Sequence, residues 1–243
     1  MLIRNIAIRA GEAAVSLFFP PHCASCGADT AGGIHLCDEC AAGARAIDAP
    51  FCHRCSEPFD GAIDGEFECA NCGGRELHFD CAVAPYLSRG VVREMIHRFK
   101  YDRQHFLRVP LGEWLADALA DGRLRSHRFE AIVPVPLHAA RLRERGFNQA
   151  AVLAGLLSAR TGVPLWEGLR RTRYTTTQTR LDRQARMDNL RNAFRVRDPS
   201  AVEGRHLLLV DDVFTTGSTV DECARVLRLA GAASVRVATV ARG

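Results

Sequence analysis

Lysine is almost missing from this chain: of 32 basic residues only Lys100 is a lysine. That excludes a nucleotide loop of the Gly-Lys-Ser/Thr kind, which needs a lysine against the phosphates. No run of 18 apolar residues occurs either, so no segment reads as a membrane-spanning helix. The stretch from Met1 to Pro21 is mildly amphipathic, but Arg9, Gly11 and Glu12 interrupt it. It lacks the continuous apolar core of a secretory signal. A short helix over residues 1–19, packed on the body, is the expectation, together with a cytoplasmic location. Residues 20–80 are poor in large apolar side chains and need some other source of stability.

Cysteine supplies it. Cys23 and Cys26, Cys37 and Cys40, Cys52 and Cys55, and Cys69 and Cys72 form four Cys-x-x-Cys pairs separated by 10, 11 and 13 residues. Each pair offers two thiolates from one turn, and two pairs complete a closed tetrahedral site. The spacing therefore predicts two structural Zn2+ ions. Sequential pairing is simplest, and a crossed pairing stays open. Disulfides lack a secretory context, a redox role would explain one pair rather than four, and an iron–sulfur cluster suits evenly spaced pairs less well. Gly27 and Gly73 follow their pairs where a knuckle needs positive φ. His22, His35 and His53 read as bystanders. Of the two leftover cysteines, Cys81 opens a strand reaching Tyr86, and Cys223 reads as core.

Charge is unevenly spread. Residues 1–81 hold 5 arginines and 12 acids (−7), residues 82–198 hold 22 basic residues and 11 acids (+11), and residues 199–243 hold 5 of each. The basic middle suits a polyanion, either a pyrophosphate or a nucleic-acid backbone.

The most informative segment runs from His206 to Thr219. An apolar strand, His206 to Val210, meets two carboxylates, Asp211 and Asp212. The loop Thr215-Thr216-Gly217-Ser218-Thr219 follows. Val220, Cys223, Ala224 and Leu227 then mark one face of a helix, which Ala230-Gly231 stops, and Ser234 to Val240 alternates like another strand. Ligands of such βαβ units sit at the carboxyl ends of the strands. Backbone N–H groups at the helix start suit an anion, whereas two acids would repel one and suit sugar hydroxyls. This segment resembles the phosphoribosyl pyrophosphate motif of type I phosphoribosyltransferases. By that resemblance Asp211 and Asp212 hold ribose hydroxyls, and Thr215, Thr216, Gly217, Ser218 and Thr219 hold the 5′-phosphate.

Further motifs lie between the landmarks. Val92, Met95, Ile96 and Phe99 mark a helix, and Leu111, Leu115, Ala118 and Leu119 another that Gly122 should end. The strand Ala131 to Val135 runs into Pro136, Leu137, His138 and Ala139, followed by Arg141 and Arg145. A further helix spans about Asn148 to Arg160. Residues 170–195 are polar and basic, as a lid would be. The paired cysteines, Phe99-Lys100-Tyr101, Val133-Pro-Val-Pro136, Arg145-Gly-Phe-Asn-Gln149, Gln178, Leu181, Arg186 and Asn189 before Ala193-Phe194, and the Asp-Asp motif come in the order seen in the ComF family of competence-associated, phosphoribosyltransferase-like proteins, which the chain resembles from Pro20 onward.

That resemblance implies an α/β fold, a type I phosphoribosyltransferase-like parallel sheet flanked by helices over residues 81–243, preceded by a double zinc ribbon over residues 20–80. It implies a pyrophosphate loop at Pro136 to Ala139 and a flexible loop holding Gln178, Arg186 and Asn189. Arg141 or Arg145 would steady the leaving pyrophosphate, and Mg2+ would accompany phosphoribosyl pyrophosphate. The family is linked to natural transformation. Two functions are therefore expected. One is an enzyme transferring a phosphoribosyl group, as nucleotide-salvage enzymes do. The other is a non-catalytic module binding single-stranded DNA or a protein of DNA uptake or recombination. The acidic ribbon should dock on protein, or on its own second domain, rather than on DNA.

Overall fold

The computed structural model describes residues 22–30, 36–174 and 190–243. The expected helix over 1–19, His35, Gln178, Leu181, Arg186 and Asn189 fall outside them. The main sheet is parallel throughout. Its strands are β1 (Ala82–Val83), β2 (Tyr86–Leu87), β3 (Ala131–Pro134), β6 (His206–Phe214) and β7 (Ser234–Arg242). The order runs β1, β7, β6, β3, with β2 also paired to β7. The expected strand from Cys81 to Tyr86 is two short ones, because Ala84-Pro85 interrupts it and Pro85 has no N–H to donate. A second, antiparallel ribbon joins β4 (Leu169–Arg171) to β5 (Phe194–Val196), which takes up both ends of the polar stretch 170–195.

Strand alternation divides the apolar residues between two cores. Leu208, Val210, Ala238 and Val240 face α2 (Gly90–Tyr101), α3 (Arg108–Asp117) and α6 (Gln149–Thr161). Leu207, Leu209, Val235 and Val237 face α7 (Ser218–Leu229), through Val220, Cys223, Ala224 and Leu227. Gly122 does not end the helix before it. Asp121 caps a short new helix, α4 (Gly122–Arg125), by accepting from Arg123 N, and Gly122 is its first residue.

The cysteine region straddles the sheet edge. Among its described residues it contains one short helix, α1 (Asp38–Ala42). Cys23 belongs to the α2 core, whereas Cys52, Cys55 and Cys72 belong to the α7 core. Arginines of the sheet half reach across to it. Arg123 donates to the carbonyl of His53 (3.0 Å) and to Ser56 Oγ (3.0 Å), and Arg98 donates to the carbonyl of Ser25 (2.7 Å). Glu57 pairs with buried Arg242. The acidic ribbon thus packs on its own second half.

Candidate functional site

The thiols pair in sequence order. Cys23, Cys26, Cys37 and Cys40 form one group and Cys52, Cys55, Cys69 and Cys72 the other, with the sulfurs of each group within 4.8 Å of one another. Cys26 and Cys37 Sγ are 3.7 Å apart, and Cys55 and Cys69 Sγ 3.6 Å. A disulfide would hold them at about 2 Å. A zinc–sulfur bond of about 2.3 Å in a tetrahedron puts sulfurs about 3.8 Å apart. The donor sets therefore fit structural zinc. Gly27 takes φ +77° as expected, but in the last knuckle the positive φ falls at Gly74 (+70°) rather than Gly73. At the place equivalent to Gly27 the second site has Ser56, at φ +58°. Its Oγ donates to the carbonyl of Ala82 (3.0 Å) and accepts from Ala84 N (3.3 Å) and Arg123. Those bonds hold a serine where glycine would be easier. Cys81 and Cys223 are buried, and burial pushes both thiols up, Cys223 furthest. Neither is an activated nucleophile.

The acid pair lies inside β6 rather than after it. The strand continues to Phe214 because β7 continues beside it, pairing Asp211 with Thr239 and Phe214 with Arg242. The loop proper is therefore Thr215 to Gly217, and Ser218 and Thr219 belong to the first turn of α7. Gly217 caps that helix at φ +77°, and a Cβ there would lie 2.6 Å from the Phe214 ring. Only glycine fits both constraints. Thr216 and Ser218 hydroxyls lie 3.0 Å apart at the entrance, where the first N–H groups of a helix lack intrahelical acceptors.

The two carboxylates have different surroundings. Asp212 is buried, and Lys100 Nζ from α2 lies 2.7 Å from its Oδ2. The only lysine is thus placed on the acid pair. Asp211 is half-buried and accepts from Asp212 N (2.9 Å). Burial first, and the Asp212 charge second, push its carboxyl up to about 7, against the pull of Lys100. The raised Asp211 carboxyl and the Lys100 ammonium beside Asp212 both reduce the repulsion of a phosphate ester.

The pyrophosphate-loop candidates leave the sheet beside these acids, since β3 pairs with β6 and Val135 N donates to Val210 O (2.9 Å). Pro136 and Leu137 form the turn, and His138 caps α5 (Ala139–Arg145) by accepting from Ala140 N (3.2 Å). Ala139 is thus helical, and so are Arg141 and Arg145. Arg141 pairs with Glu144 (2.9 Å), while Arg145 donates to Tyr101 Oη (3.2 Å) and covers its ring. Asn148 caps α6 and donates to the carbonyl of Val135 (3.1 Å), which shapes the turn.

Sequence reasoning missed two members. One is Lys100, which the sequence marks only as a lone lysine within Phe99-Lys100-Tyr101. The other is Arg171, whose backbone bridges His138 and whose charge is felt by Asp211 and Cys223. Burial lowers its guanidinium. Its signal was parity: in β4 it falls on the inward face with Leu169, while Arg170 faces out.

Similarity to known proteins bears on both halves of the chain. Residues 14–76 match the double zinc ribbon domain, and residues 148–243 match the phosphoribosyl transferase domain. The solved allosteric regulatory enzyme of purine biosynthesis superposes at a TM-score of 0.36, with 24% identity over 55% of this chain and 25% of that one. The DNA utilization protein YhgH of Escherichia coli K12 is 34% identical over 83% of this chain and 88% of its own, and competence protein ComFC of Streptococcus pneumoniae 26% over 82% and 90%. Competence protein F of Haemophilus influenzae is 32% identical over 93% of this chain and 98% of its own. With a double zinc ribbon in front of a phosphoribosyltransferase-like parallel sheet, and relatives matched nearly end to end, the chain belongs to the ComF family.

Proposed function

We propose that the protein binds phosphoribosyl pyrophosphate with Mg2+ at the carboxyl ends of β3 and β6, and that it serves DNA uptake in the cytoplasm. The observation that carries this reading is the sequence of surroundings along one strand end: an acid pair braced by Lys100, a glycine that admits no side chain, and an open helix start. Asp211 and Asp212 take the ribose hydroxyls. Thr215 to Thr219 take the 5′-phosphate. The Pro136 to Ala139 turn, with Arg171 beneath it and Arg141 and Arg145 on the following helix, takes the pyrophosphate. Arginine suits that role because its planar fork matches phosphate oxygens. Mg2+ neutralises the pyrophosphate when bound, and the oxygen donors here suit a hard cation.

Transfer to an acceptor would need only positioning and charge stabilisation from these residues. The names of the relatives favour a role in handling DNA over nucleotide salvage. Calorimetric titration with phosphoribosyl pyrophosphate and Mg2+ tests the site. The wild type should bind, and the Asp211→Ala, Asp212→Ala double variant should bind at least tenfold more weakly. Absence of binding by the wild type would sink the proposal.

A further inference from the structure

The β4–β5 ribbon carries a charge arrangement that folding alone does not favour. Arg170 and Arg195 stand directly opposite each other in its antiparallel register. Like charges in that position repel and destabilise a strand pair. Arg197 extends the row, since its N–H donates to the carbonyl of Gly168 (2.9 Å) one step further along. All three arginines are exposed. Among the described residues no carboxylate pairs with any of them, and nearby Asp198 is bonded to Ser200. A preference for arginine over lysine explains why these residues are arginines. It does not explain three unpaired cations set in a row.

The ribbon lies flat on the protein. Leu169 and Phe194 are buried beneath it, in the same core as Val220 and Cys223 of α7. It therefore cannot enter a duplex groove as a free-standing two-stranded ribbon would. A flexible strand can instead lie across it. Half-exposed Trp166 supplies a flat apolar surface beside the arginines, its indole packed so closely on Gly168 that a Cβ there would lie 2.0 Å from the ring. Spaced cations beside an aromatic face suit an unpaired nucleic-acid strand, whose phosphates and unstacked bases they meet together.

We infer that the outer face of the β4–β5 ribbon, through Arg170, Arg195, Arg197 and Trp166, binds single-stranded DNA. The inference stands apart from the phosphoribosyl site, since none of the four residues belongs to it. The ribbon nevertheless runs from that site outward, because Arg171 of β4 bridges His138, and a bound strand would lie beside it.

Fluorescence anisotropy with a labelled oligothymidylate across a salt series tests this on the full-length, zinc-loaded protein. The Arg170→Ala, Arg195→Ala, Arg197→Ala variant should lose three phosphate contacts. The slope of log affinity against log salt should fall by about 2, and affinity roughly fiftyfold at about 0.15 M salt. The matching triple lysine variant should keep the slope, and Trp166→Leu should weaken binding without changing it. Unchanged slope and affinity in an alanine variant with native zinc content and unfolding temperature would overturn the inference, as would a wild type that binds no oligothymidylate. Equal losses in the lysine and alanine variants would overturn it too. Equal affinity for a duplex, or full affinity in Trp166→Leu, would overturn the single-strand assignment.

Discussion

Replacing Lys100 with methionine isolates the contact that joins α2 to the acid pair. The methionine side chain keeps the apolar stem and removes the ammonium. Lys100 and Asp212 are 2.7 Å apart, with only 18% and 6% of their side chains exposed. Removing one partner of a buried pair costs about 3–5 kcal/mol, because the other charge is left without compensation. Solvent reaches part of the lysine, so the low end, about 3 kcal/mol, is expected. For a chain of this length that lowers the unfolding temperature by roughly 6–12 °C. Urea unfolding of Lys100→Met, Asp212→Asn and the double variant forms a cycle. The double variant should recover about 2 kcal/mol relative to the sum of the single changes. A Lys100→Met protein within 0.5 kcal/mol of wild type (about the noise of such cycles), or a cycle that closes without coupling, would refute the assignment of Lys100 as the counter-charge of Asp212.

Other outcomes follow from neighbouring features. Asp211 has its carboxyl raised to about 7 by burial and by Asp212, so the folded state holds this proton more tightly than the unfolded one. The stability it contributes is therefore present below about pH 4 and is lost as pH rises through about 7. Asp211→Asn should flatten that part of the pH–stability curve, and an unchanged curve would count against the raised Asp211 carboxyl. Gly217→Ala forces a Cβ to 2.6 Å from Phe214 at φ +77° and should cost about 1–3 kcal/mol in thermal unfolding while weakening phosphoribosyl pyrophosphate at least tenfold in calorimetry. Native mass spectrometry should find two Zn2+ per chain, one for each four-thiol group. Cys55→Ser should lose one of them and broaden the unfolding transition.

Strong local signals in the sequence carry through to the structure. Four evenly spaced cysteine pairs admit few arrangements, and the simplest, sequential pairing, is the one the fold adopts. The apolar run Leu207 to Val210 reads as a strand covered on both faces, and all four of its residues are buried. Strand length is harder to read. Asp211 and Asp212 look like the end of an apolar run, yet pairing with β7 carries the strand on to Phe214, and no local pattern records a neighbour's length. Lys100 shows the same difficulty from the other side. It sits 112 residues from Asp212 in the chain, and only the packing of α2 on the sheet brings the two together. Ser56 takes a conformation that residue type argues against, because hydrogen bonds from another part of the chain hold it there.

The seating of the two thiol groups in opposite cores bears on what can be cut or exchanged. A fragment beginning at residue 81 would lose the Ser25 carbonyl from Arg98, the His53 carbonyl and Ser56 hydroxyl from Arg123 and the Glu57 carboxylate from Arg242, while Gln104, Asp121 and the Phe214 carbonyl stay in place. Phe79, packed edge-on against Phe214 under the Gly217 turn, would go as well. Such a fragment would report on a damaged sheet rather than on an isolated half. A chimera built with a foreign ribbon would have to bring matching carbonyls and an acid to the same arginines. Inheritance of the two halves is thus tied at the level of individual side chains, and they are expected to vary together among relatives rather than as interchangeable modules.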